Sequence, residues 1–95
     1  MRYEWDPQKN EWLKSKRNVS FEKIVFHLAR GDVRKFADHP DQENYPGQRV
    51  YFVIVDEYIY LVPHMVEKDY VFLKTIIPSR KATRAYKNEQ EVKKT

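Results

Sequence analysis

Apolar residues change their spacing along this chain, and the changes mark its elements. Phe21, Ile24, Val25 and Leu28 recur at i, i+3, i+4 and i+7, the stripe of an amphipathic helix. Ser20 precedes them as an N-cap and Gly31 follows as a stop, which predicts a helix from Phe21 to Arg30. Asp6-Pro7 gives a second start, aspartate as N-cap and proline at the first helical position, where a missing N–H costs nothing. That helix is expected to run to about Lys16, with Trp12 and Leu13 as apolar anchors and Asn18 as its stop. Ahead of it, Tyr3–Trp5 reads as a short strand. The polar stretch 37–48, with two prolines and a glycine, is a loop long enough to suggest a functional one.

Beyond that loop the period falls to two, predicting strands Arg49–Val55, Tyr58–Pro63 and Tyr70–Ile77. Short turns at Asp56-Glu57 and Glu67-Lys68-Asp69 make them an antiparallel meander. The first is apolar on both sides, Val50, Phe52 and Ile54 against Tyr51, Val53 and Val55. The second sets Ile59 and Leu61 against Tyr58, Tyr60 and Val62. Both sheet faces therefore need a cover. Two helices are expected on one face, and the C-terminal segment or a partner chain on the tyrosine-rich one. Ser79 opens a last helix, Arg80 to about Glu91, with few apolar residues. The order β-α-α-β-β-β-α is an α+β fold, one domain over residues 1–95.

Composition narrows the chemistry. With no cysteine among 95 residues, disulfides and thiolate chemistry are excluded. No apolar run approaches the length of a membrane span, and the opening residues lack a signal-peptide core, so a cytoplasmic location is expected. The net charge of +4 is unevenly spread: from Lys74 onward seven basic residues face two acidic ones, while the preceding residues hold 11 basic and 12 acidic. A localised surplus of this kind suits a polyanion or an acidic protein partner.

Two glycines cannot build a phosphate-cradling loop, and His27, His39 and His64 lack the spacing of a zinc site, so neither cofactor nor metal is expected. The informative stretch is Lys74 to Tyr86. Arg80 and Arg84, four apart, share a helix face with Lys81 adjacent, although cations at a helix N-terminus oppose its dipole. Metal-free RNA cleavage needs such a set: a base for the 2′-OH, cations for the developing phosphorane charge, and an acid for the leaving 5′-oxygen. Arg80, Arg84 and Lys81 fit the cationic role, and Lys74, Tyr86 or His64 the acid or base. Trp5, Lys9, Arg49 and His64 are the expected RNA contacts, with an aromatic ring to stack a base.

Glu4-Trp5-Asp6-Pro7-Gln8-Lys9, then Val19-Ser20-Phe21-Glu22, then Ile77-Pro78-Ser79-Arg80-Lys81-Ala82-Thr83-Arg84 resemble, in order, three motifs of the BrnT toxins. The resemblance spans residues 4–86. It implies a RelE-like fold, an antiparallel sheet on two N-terminal helices with a basic C-terminal helix. It also implies a ribonuclease that cleaves mRNA and blocks translation, and a cognate DNA-binding antitoxin that holds it in a hetero-oligomer. The matching positions are Trp5, Lys9, Arg80, Lys81 and Arg84. The chain departs from the pattern at Arg17-Asn18, where the family has histidine, at Thr75, where it usually has arginine, and at Pro78. The helix end differs too, with Ala85-Tyr86 where the family has an acidic residue. Apart from the resemblance, the residues admit a second reading, a non-catalytic basic module that grips RNA or an acidic protein.

Overall fold

A computed structural model describes residues 2–94, so Met1 and Thr95 lie outside it. Its elements are β1 (Arg2–Glu4), α1 (Pro7–Arg17), α2 (Phe21–Ala29), β2 (Val33–Asp38), β3 (Arg49–Val55), β4 (Tyr58–Val66), β5 (Tyr70–Leu73), β6 (Ile77–Pro78) and α3 (Arg80–Lys94). Both N-terminal helices are capped as expected. The Asp6 carboxylate accepts from the Gln8 N–H and the Ser20 hydroxyl from the Lys23 N–H. Asn18 ends α1 in the left-handed region at φ 53°, and the chain turns straight into α2.

The strands form one α+β sheet in the order β1-β5-β4-β3-β2, with β6 pairing β4 beyond the end of β5. It is mixed rather than wholly antiparallel, because β1 runs parallel to β5. A strand in the segment expected to precede the loop, β2, is the larger departure. It forms an edge, mostly exposed, with a register shift between Val33 and Lys35. Two cations and weak alternation conceal it in the sequence, as is usual for edge strands.

The expected strand Tyr70–Ile77 is broken. Leu73 pairs His64 and Ile77 pairs Leu61, so three residues, Lys74 to Ile76, face two on β4. This bulge also explains why β4 continues past Pro63. The Pro63 carbonyl accepts from the Lys74 N–H, so the proline nitrogen faces the same interrupted stretch, where it displaces little of the ladder.

Residues directly paired across strands share a face. Tyr51, Val53 and Val55 of β3, with Tyr60, Val62 and His64 of β4, lie on one side. Leu13, Val19, Phe21 and Ile24 from α1, α2 and their connection bury this face, with Tyr51 and Tyr60 packed at its margin. The tyrosine-rich face is thus the one that the helix pair covers, the reverse of the expectation. Tyrosine suits that place because its ring buries area while the hydroxyl reaches the rim. The opposite face, carrying Phe52 and Ile59, receives α3. Trp12 is not an anchor of the core; it stays 41% exposed. Among the described residues no helix is long and apolar enough to cross a membrane.

Candidate nucleic-acid interface

α3 sits on its sheet face through small residues and one threonine. The buried Thr83 hydroxyl accepts from the Ile59 N–H at 2.8 Å and donates to the Ser79 carbonyl at 2.7 Å. The Ser79 hydroxyl caps the first turn by accepting from the Ala82 N–H. Arg34 of β2 and Glu89 form an ion pair along one flank of the helix, where Arg34 also lies over the Tyr86 ring.

With that side turned inward, Arg80, Arg84 and Lys87 face outward. They line one open surface together with Tyr58 of β4, and Glu91 closes its far end. Lys81 is exposed on the adjoining flank. Among the described residues, none of these four cations has a carboxylate within 4.0 Å. Elsewhere among the described residues, Arg2, Lys14, Lys23, Arg30, Arg34 and Arg49 are each so paired, whereas Lys9, Lys16, Arg17, Lys35, Lys68 and Lys74 are not; what marks the strip is that its unpaired cations share one face of α3. The strip's positive field is therefore not neutralised by a carboxylate in direct contact. Lys87 was missed in the sequence reading, although its place seven residues after Arg80 puts it on the same face. Tyr58 came within reach only through the β3–β4 turn.

The other expected site residues are scattered. Lys74 lies in the bulge, its ammonium 5.0 Å from the Phe72 ring centre. Tyr86 is half-buried, lining one surface with Arg34, Ala85 and Glu89 and a second with Glu57, Lys87 and Glu91 at the far end of the strip. Trp5 stacks on Phe21 at 5.6 Å, packed against the core rather than presented as a platform. Lys9 sits over Trp12 on α1. Arg49 pairs with Asp38 at the β2–β3 edge.

His64 is the clearest correction. Only 2% exposed, it stacks on Tyr51 with ring centres 3.7 Å apart and planes 9° from parallel. Its Nδ1 bonds the Val62 carbonyl, so no RNA contact reaches it. Desolvation lowers its pKa, against the Val62 bond that raises it. Tyr51 is pushed up to about 12, first by burial and then by Tyr3 beside it.

Among the described residues no group of three or more His, Asp or Glu side chains is placed to hold a metal ion. No family model, curated protein or solved structure matches the chain.

Proposed function

We propose that this chain is the toxin of a toxin–antitoxin pair, RelE-like in build, a metal-independent ribonuclease that cleaves mRNA in the cytoplasm until a cognate DNA-binding antitoxin covers it. The observation that carries the reading is the strip of Arg80, Arg84 and Lys87, cations without carboxylate partners on one outward face of α3. Arginines four apart offer planar forks to successive phosphate oxygens. The observed element order also contains β-α-α-β-β-β-α, with β2 and β6 added to it.

In the reaction, the 2′-oxygen attacks the adjacent phosphorus and the bond to the 5′-oxygen breaks, leaving a 2′,3′-cyclic phosphate and a 5′-hydroxyl. Arg80 and Arg84 stabilise charge on the non-bridging oxygens as it develops. One observation favours the second reading, a binding module without chemistry. His64 is buried away from the strip and Tyr86 meets it only at the Lys87 end, so no proton-transfer group is assigned beside Arg80 and Arg84.

The test is purified protein with single-stranded RNA in chelator, beside Arg80→Ala/Arg84→Ala, and both chains expressed alone in a bacterial host. Cleavage to cyclic-phosphate ends and growth arrest, each reduced at least tenfold in the double variant, support the toxin. Tight, salt-sensitive binding of uncut RNA leaves the binding module. A folded double variant that cleaves and arrests like the parent overturns the site.

A further inference from the structure

α1 turns Asn10 and Leu13 inward and leaves Trp12 outside. Lys9, Trp12 and Lys16 fall at i, i+3 and i+7, one outward stripe, with Arg17 adjoining it. The Lys9 ammonium lies 4.3 Å from the indole ring centre and the Arg17 guanidinium 4.9 Å. Glu11 is on the same helix but pairs with Lys14. Among the described residues, Lys9, Lys16 and Arg17 have no carboxylate within 4.0 Å. Both cations lie over the exposed indole ring rather than at its edge, so a nucleobase stacks there by displacing the flexible Lys9 ammonium, which is then free to meet a flanking phosphate.

Arg17 ties this stripe to the strip on α3. Its guanidinium donates to the Ile76 carbonyl at 2.6 Å, at the bulge that ends β5. From Ile76 the chain passes through the exposed β6 to Arg80, four residues that span at most about 14 Å. The two groups of cations stand on helices covering opposite faces of the sheet, and the short segment from Ile76 to Arg80 joins them at this edge. Ile77 is exposed along that edge.

We infer that Trp12 is the platform for an unpaired nucleobase of RNA: a single strand crosses the β6 edge, stacks one base on the indole in place of the Lys9 ammonium, and runs its phosphates toward Arg80. This rests on the RNA-directed reading above and adds where and in what form the RNA lies. The strand is single because a duplex keeps its bases closed in their own stack. Trp5 cannot serve, since its ring packs on Phe21 against the core.

The experiment follows indole fluorescence of Trp5→Phe, which leaves Trp12 as the reporter, on adding a single-stranded RNA of about 10 nucleotides or a duplex of the same sequence, in chelator. If Trp5→Phe does not fold, the difference between the unaltered chain and Trp12→Phe supplies the same signal. The expected result is saturable quenching by the single strand and little by the duplex. Trp12→Ala then weakens single-strand binding about tenfold and Trp12→Phe much less. Absent quenching, or unchanged affinity in Trp12→Ala while Arg80→Ala/Arg84→Ala still weakens binding, overturns the platform and spares the strip. Quenching by the duplex as strong as by the single strand overturns the choice of an unpaired base. Quenching and affinity unaltered in the Arg80→Ala/Arg84→Ala variant would remove the strip and leave Trp12 as the contact.

Discussion

His64 and Tyr51 form one stacked pair that burial pushes in opposite directions, each away from its charged form. Their pH signatures follow. For His64 the folded pKa lies below the unfolded one, so its contribution to stability is present above the ordinary histidine range and is lost as pH falls through the folded value. Urea midpoints should drop on acidification from pH 7, and His64→Phe should lose that component of the slope. Tyr51 behaves conversely: its contribution is full below about pH 10 and lost as pH rises toward about 12. Absorbance titration should show one late tyrosine that Tyr51→Phe removes. None of this was legible in the sequence, where His64 falls just past the expected strand end at Pro63 and reads as an acid–base or RNA-contact candidate. The residue became buried because β4 runs on through Pro63, which the bulge opposite permits. Asn10 was equally silent. It is buried, donates to Glu22 at 2.7 Å and accepts from the Phe21 N–H at 2.9 Å, joining α1 to the start of α2. An asparagine on a polar helix carries no outward sign of such a role.

Among the elements, α1, α2 and α3 could be read because their first turns carry side-chain caps, Asp6, Ser20 and Ser79, whose chemistry is local. β2 could not, because an edge strand that is mostly exposed needs no apolar alternation. The cations of α3 were legible from spacing, but what holds α3 to its sheet was not. Thr83 looks like one more polar helix residue until the Ile59 N–H is found bonded to it. Thr83→Val leaves that buried N–H without an acceptor and should cost about 1–3 kcal/mol in urea unfolding. Hydrogen exchange of α3 should quicken with it and RNA binding weaken, whereas Thr83→Ser, which keeps the hydroxyl, should recover most of the loss. A Thr83→Val chain with unchanged stability would show that α3 is anchored by its flanks alone, through Tyr86 and the Arg34–Glu89 pair.

Over the whole molecule, charge rather than shape distinguishes one surface from another. The surplus of basic residues after Lys74 was plain in the sequence, and folding gathers part of it into the strip on α3. Association with single-stranded RNA should therefore weaken steeply with salt. If Arg80 and Arg84 each neutralise one phosphate, their joint replacement by alanine should make the slope of log K against log salt shallower by about 1.4. An unchanged slope would place the phosphates elsewhere. Which sheet face each helix covers was the part that sequence reasoning inverted, because both faces of β3 are apolar and no local signal separates them.

The parallel pairing of β1 with β5 bears on how the molecule comes into being. Arg2, Tyr3 and Glu4 lie beside Tyr70, Val71 and Phe72, so a strand made early in synthesis waits for one made late. Pairing across so much sequence slows folding, since the loop must close before its contacts can form. The Arg17 bond to the Ile76 carbonyl imposes the same delay on the end of α1. A nascent chain halted before β5 therefore holds its first strand without a neighbour and lacks the basic helix altogether. The sheet and the cations it carries are completed together, and late.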